Sequence, residues 1–157
     1  MHYILPEFIM RLLLQRVKRA SVEVDGNVVG VIERGMMVLC GFKKDDDAAV
    51  LPKMVDKCLN LRVFEDDQGK MNRSLLDIRG QLLVVSQFTL YANCRKGRRP
   101  SFDNSMPPEP AREMYEQTLT LFARSGLKIE RGVFGAKMTI HLTNDGPVTV
   151  LLDNDEI

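Results

Sequence analysis

Residues 81–90 read QLLVVSQFTL, an apolar run passing into alternating polar positions, and this is the strongest strand signal in the chain. Alternation with period two predicts Ser86 and Phe88 on one face and Gln87 and Thr89 on the other. Polar side chains therefore arrive at the end of an apolar strand, where strands usually deliver a site. Upstream, residues 11–17 (RLLLQRV) and 21–32 (SVEVDGNVVGVI) read as strands, with Asp25-Gly26 marking a tight hairpin inside the second. Met36 to Phe42 is a short continuous apolar run that fits a buried strand. Asp45, Asp46 and Asp47 open a helix, because carboxylates suit the positive N-terminal end of the helix dipole. Leu51, Met54, Val55, Cys58 and Leu59 then share one helical face, and Pro52 is tolerable only in the first turn. Val63-Phe64 resumes as a strand, followed by the solvated turn EDDQGK.

Downstream, Tyr91 to Pro110 is loop-like, with prolines at 100, 107, 108 and 110 and a basic cluster. A helix runs from about Pro108 to Ser125, with Ala111, Met114, Tyr115, Thr118, Leu119 and Phe122 facing the core and Gly126 ending it. The tail from Ile129 to Asp153 reads as strands joined at Asn144-Asp145-Gly146-Pro147. The expected fold class is α+β: a single domain of mainly antiparallel strands, in packed sheets or a partial barrel, with two main helices.

A chain of 157 residues has the size of one domain and can bury a core without disulfide or metal staples. Its 45% hydrophobic and 27% charged residues exclude both a disordered and a membrane-embedded chain. Lys plus Arg is 22 and Asp plus Glu is 21, so a polyanion has to be gripped by a local patch. Cys40, Cys58 and Cys94 form no CxxC pair, which suggests neither a disulfide framework nor a zinc site. The expected compartment is the reducing cytoplasm. Residues 1–9 lack a basic n-region and a cleavage site, and Pro6 and Glu7 break their apolar run. They read as an N-terminal extension, with 10–157 as the domain. No segment approaches the roughly 20 apolar residues that span a bilayer.

GxGxxG, P-loop, HExxH and GxSxG motifs are all missing. His2 lies in the extension, and His141 falls on the polar face of an alternating run with Lys137 and Thr139, as a solvated strand histidine does. A histidine-based triad or metal site is not expected, and neither is a cofactor. Chemistry has to lean on backbone dipoles, hydroxyls or the substrate. Ser86, Gln87, Phe88 and Thr89 are candidates, against the plainer reading that Ser and Thr bond neighbouring backbone. Asn144-Asp145-Gly146-Pro147 reads as a hairpin turn, although Pro147 removes a ladder N–H, and the usual X-Pro isomer is trans. Arg95, Lys96, Arg98 and Arg99 form either a solvated loop or a phosphate-contacting patch, with Phe102 beyond to cover apolar surface or stack on a base.

Together these segments resemble the D-aminoacyl-tRNA deacylase family. The matching pieces are Gln15-Arg16-Val17 with Ala20-Ser21-Val22, Ser86-Gln87-Phe88-Thr89-Leu90, and Gly97 with Arg99-Pro100-Ser101-Phe102. Gly135-Ala136 with Met138, and Asn144 through Thr149, complete the set in the family's order. The resemblance implies a homodimer that hydrolyses the ester joining a D-amino acid to the terminal ribose of tRNA. It implies a cis Gly146-Pro147 bond whose carbonyls enter the partner subunit's pocket and occupy the volume of an L side chain. Arg16 matches the arginine that holds this motif. Ser86, Gln87, Phe88 and Thr89 match the opposite wall, which meets the adenosine and the aminoacyl carbonyl.

An aminoacyl ester is already activated, so positioning and oxyanion stabilisation suffice, with the ribose 2′-OH helping to activate water. Backbone N–H groups around Phe88 and Thr89 are the candidate donors. Thr89 as covalent nucleophile is the rival mechanism, and no base is visible near it in sequence. A pocket that excludes a side chain cannot exclude hydrogen, so glycyl-tRNA is an expected second substrate. The competing classes are a non-catalytic tRNA-binding module and a hydrolase of small D-amino acid esters. The stretch 93–96 is variable in the family, so its basic character belongs to this chain.

Overall fold

Met10–Val24 forms one long strand, β1, around which the rest is arranged in the computed structural model, which describes residues 10–157. The expected extension, 1–9, lies outside the described residues. β1 turns at Asp25-Gly26 into β2 (Asn27–Ile32), as the hairpin signal predicts, and β3 (Gly35–Phe42) follows. Asp47 caps a short 3-10 turn, Ala48–Val50, by accepting from the Ala49 N–H, and α1 (Leu51–Asn60) continues from it with Pro52 in its first turn. A small hairpin, β4 (Phe64–Glu65) and β5 (Met71–Arg73), leads to a one-turn helix, α2 (Leu75–Ile78). Sequence periodicity missed α2, which is too short to show a period; its signal is the capping box between Ser74 and Asp77. β6 (Gln81–Ser86), α3 (Pro108–Ala123), β7 (Ile129–Arg131) and β8 (Thr139–Asp153) complete the chain.

The main sheet runs β2-β1-β3-β6-β7, with β8 also paired to β1. Most pairings are antiparallel as expected, but β3–β6 and β6–β7 are parallel, because helical crossovers carry the chain back between them. The ends of the sheet come together: the Arg131 carbonyl oxygen lies 3.0 Å from where a Cβ on Gly30 would stand. The result is an almost closed barrel in one α+β domain.

Two clusters fill it. Leu12, Leu14, Met36, Val38, Leu82 and Val84 pack beneath the helices. Val17, Ala20, Val22, Ile32, Met37, Leu83 and Val85 line the other face. β1 serves both, because its register against β8 shifts on either side of Val17 and reverses the facing of its side chains. The helical faces are those the sequence predicts: Leu51, Met54, Val55, Cys58 and Leu59 on α1, and Ala111, Met114, Tyr115, Thr118, Leu119 and Phe122 on α3 are buried. Each large apolar side chain contributes about 1.5–3 kcal/mol on burial. Propensity differences are below about 1 kcal/mol per residue, so packing fixes these helices.

Two expectations are corrected. The strand read over 81–90 ends at Ser86, and Phe88–Tyr91 winds into a 3-10 turn. The tail contains no hairpin at 144–147. Thr139–Asp153 is one strand, pairing along its length with β1. Asn144 pairs with Val17 and Thr149 with Gln15, so Asp145, Gly146, Pro147 and Val148 all lie opposite Arg16. The turn chemistry makes a wide bulge instead of a reversal, because long pairing on both sides outweighs it.

Candidate active site

β6 delivers Ser86 and Gln87 to the wall of a cavity of about 570 Å³. Cys40, Gly41 and Phe42 of β3 form its floor, and Phe102, Met106 and the start of α3 stand on one side. Phe134, Gly135, Ala136 and Met138 close the other, so the resemblance-carrying segments 86–88 and 135–138 meet here although about 50 residues separate them. The wall is braced from below. Tyr115 Oη donates to the Val84 carbonyl at 2.7 Å, and the Gln87 N–H donates to the Cys40 carbonyl at 2.8 Å.

Why the strand stops at Ser86 is visible in Gly41. A Cβ there would stand 2.8 Å from the Gln87 carbonyl oxygen and 3.0 Å from Leu90 Cβ, so the 3-10 turn packs directly on bare backbone. Sequence reasoning missed Gly41; a glycine inside a buried apolar strand was the available signal. Phe88 and Thr89 open this turn, and their N–H groups have no acceptor among the described residues, as the first residues of a helical turn do not. Ser105 Oγ donates to the Phe88 carbonyl at 2.9 Å, while the exposed Phe88 ring meets Phe102 edge-on at 5.0 Å. Gln87 Nε2 donates to Thr89 Oγ1, so these two side chains meet through the turn and not through strand alternation. Thr89 is exposed beside the cavity and does not line it.

Among the described residues no charged side chain lines the cavity, and the Cys40 thiol in its wall is pushed well above the ordinary range by burial, so it stays neutral. Among the described residues no group of three or more His, Cys, Asp or Glu gathers that would hold a metal ion. His141 lies on the surface, 3.3 Å from Glu23.

Gly146 and Pro147 are exposed, joined by a cis bond, and do not line this cavity. Gly146 has φ +126°, and a Cβ there would meet Arg16 Nη2 at 3.2 Å, so only glycine fits without strain. Arg16 is buried beneath the bulge. Its Nε donates to the Asp145 carbonyl at 3.0 Å and its Nη1 to the Val63 carbonyl at 2.7 Å. Carboxylates of Asp145 and Glu65 stand at 3.5 and 3.8 Å. Arg95, Lys96, Arg98 and Arg99 are exposed on a loop pinched by the Asn93–Ser101 bridge, with no acidic partner among the described residues.

Beside this largely apolar cleft the Phe88 and Thr89 N–H groups have no acceptor among the described residues, and main-chain donors of this kind can polarise the carbonyl of an activated ester. The profile of the D-Tyr-tRNA(Tyr) deacylase family matches residues 13–153. The D-aminoacyl-tRNA deacylases of Thermosipho africanus and Aquifex aeolicus are each 53% identical over 148 residues, covering 94% of this chain and 99% and 100% of theirs. The chain belongs to this family of hydrolases. Among solved structures, a c-Myc DNA unwinding element binding protein is 44% identical with TM-score 0.85, covering 90% of this chain and 97% of its own. A probable eukaryotic D-amino acid tRNA deacylase shares the fold at TM-score 0.82 and 19% identity, covering 92% and 99%.

Proposed function

We propose that this enzyme hydrolyses the ester of D-aminoacyl-tRNA, releasing free tRNA and the D-amino acid, and spares the L ester. The carrying observation is the pair of N–H groups on Phe88 and Thr89, without acceptors among the described residues, in a turn whose first residue lines a cavity with no charged side chain among those residues. The terminal adenosine enters the cavity beside Ser86, Gln87 and Phe88, and the aminoacyl carbonyl oxygen accepts from the two N–H groups. Water attacks the carbonyl carbon with help from the ribose 2′-OH. The bond to the ribose oxygen breaks, and that oxygen takes the proton. Thr89 Oγ accepts from Gln87 and has no base beside it among the described residues, which favours this route over a Thr89 nucleophile.

The working unit is a homodimer of the single domain 10–157, acting in the cytoplasm. Gly146 and Pro147 project from a bulge anchored by Arg16 and are missing from their own chain's cavity lining, as a motif serving a second copy would be. Leu151, Leu13 and Leu39 form a row across β8, β1 and β3, with Leu151 48% exposed, an apolar face suited to that copy. Placed in the neighbouring cavity, the Gly-Pro carbonyls fill the volume of an L side chain but leave hydrogen room, so glycyl-tRNA is also cleaved. Arg95, Lys96, Arg98 and Arg99 contact tRNA phosphates.

Matched D- and L-tyrosyl-tRNA, with glycyl-tRNA alongside, test the reading. Loss of the D and glycyl esters with the L ester spared supports it, and equal loss of D and L removes the rejecting motif. A second reading, a nucleic-acid-binding module without turnover, is favoured by the unpaired basic loop. Binding of tRNA with no cleavage of any ester would select it.

A further inference from the structure

A second cavity, of about 650 Å³, opens beyond the other end of the 88–91 turn, and of its lining only Arg95 has a role in the function proposed above. Its walls come from three places distant in sequence: Arg11 at the start of β1, Lys43 just after β3, and Tyr91, Asn93 and Arg95 with Asn104 in the long loop. Among the described residues the charged groups that line it are Arg11, Lys43 and Arg95, all cations. Arg11 is held in place by three contacts. Its Nε donates to Asp153 at 3.0 Å, its Nη1 donates to the Leu90 carbonyl at 2.8 Å, and its guanidinium lies 4.7 Å from the Tyr91 ring centroid. Those contacts leave Nη2 without a partner among the described residues. Asp46 accepts the Lys43 main-chain N–H and Asp153 accepts Arg11 Nε, and neither carboxylate is part of the cavity's described lining.

The position is as informative as the charge. Phe88, the first residue of the 3-10 turn, lines the first cavity, and Tyr91, its last, lines the second. A turn of four residues rises only about 6 Å. A strand whose 3′-terminal nucleoside sits in the first cavity therefore passes this turn on its way out. Three cations with asparagine amides between them suit a singly charged phosphodiester, with Arg11 and Arg95 as planar donors and Lys43 as a point charge.

We infer that the cavity bounded by Arg11, Lys43 and Arg95 takes a backbone phosphodiester of the substrate's acceptor strand, adjoining the terminal nucleoside. The inference rests on the deacylase reading of the first cavity and adds to it a fixed point for the incoming strand. It also separates Arg95, which lines a built cavity, from Lys96, Arg98 and Arg99, which stand on open surface.

The test compares two substrates in the full-length protein. D-tyrosyl-tRNA carries the phosphodiester, and 3′-D-tyrosyl-adenosine has the ester but no phosphate. Lys43→Gln and Arg95→Gln should each lower the ratio of kcat/KM for the tRNA to that for the nucleoside by about tenfold. Each should also reduce the slope of log K against log salt for tRNA binding by about 0.7. Ratios equal to wild type overturn the cavity assignment while the deacylase reading stands. A wild-type protein that cleaves neither substrate overturns the reading beneath it, and the inference with it.

Cys94 gives an independent arm, since it is exposed and also lines this cavity while Cys40 and Cys58 are buried. Iodoacetate and iodoacetamide add groups of nearly equal size there, differing by one negative charge. The carboxymethylated protein should bind tRNA about tenfold more weakly than the carbamidomethylated one. Equal affinities overturn the assignment.

Discussion

Arg16 Nε donates to the main-chain carbonyl of Asp145 at 3.0 Å, tying two points of the chain 129 residues apart. The guanidinium is buried, and its Nη1 bond to Val63 fixes it from the opposite side. The bulge carrying Gly146 and Pro147 therefore has a defined position relative to the sheet.

Replacing Arg16 should separate stability from selectivity. Arg16→Ala leaves the Asp145 and Val63 carbonyls unpaired at about 1–3 kcal/mol each, so urea unfolding should show roughly 2–6 kcal/mol lost. Arg16→Lys keeps the charge but loses the fork, and should stay folded while the D-to-L rate ratio falls. An unchanged ratio in a folded Arg16→Lys protein would detach this arginine from the motif.

Gly146→Ala puts a Cβ 3.0 Å from Val148 Cγ2 and 3.2 Å from Arg16 Nη2, at a φ that side chains rarely adopt. About 1–2 kcal/mol of stability should be lost, and cleavage of L-tyrosyl-tRNA should rise relative to the D ester. Retention of full discrimination would count against the bulge as the filter.

Thr89→Ala removes a hydroxyl that only accepts from Gln87, so kcat should stay within about tenfold of wild type. A covalent nucleophile would instead cost several orders of magnitude. Single-turnover kinetics on D-tyrosyl-tRNA decides between them.

Gly41→Ala should act on the chemistry from outside it. The new methyl presses on the Gln87 carbonyl and shifts the turn that carries the Phe88 and Thr89 N–H groups. A fall of about 10- to 100-fold in kcat, with KM less affected, is expected from misplaced donors. The reverse pattern, KM raised with kcat intact, would place Gly41 in adenosine binding alone.

Acid should weaken the fold. Asp77 is held below the usual carboxylate range by the Ser74 main-chain N–H, Asp66 by Asn72, and Glu116 by Arg131. Each folded pKa lies under its unfolded value, so the stabilisation is present at neutral pH and is lost as pH falls through the folded values. Tm should drop between about pH 5 and pH 3, and Asp77→Asn should flatten part of that drop. An identical profile for Asp77→Asn would show that the cap does not contribute.

Much of the fold was legible in local pattern. The apolar faces of α1 and α3, the Asp25-Gly26 hairpin and the buried strand before Phe42 each sit within a window a few turns long. The candidate wall Ser86–Phe88 was legible too, because polar residues closing an apolar strand stand out. Thr89 was placed on the wrong footing: alternation predicted a strand, and the bare backbone of Gly41, far away in sequence, let the chain turn instead.

The tail shows most plainly where reading by window fails. Asn144-Asp145-Gly146-Pro147 has the chemistry of a turn, and locally nothing contradicts it. Only pairing with β1 on both sides, from Arg11–Asp153 to Glu23–Thr139, makes it a bulge within one strand. Local pattern set the type of the long helices and most strands and which of their faces turn inward, since these follow from periodicity and backbone preference over a few residues. It failed at the 88–91 turn and the 144–147 bulge. Where Arg16 finds its carbonyls and how two cavities come to flank one turn were settled only in three dimensions, because those depend on contacts between segments 47 to 142 residues apart, whose energies no local window contains.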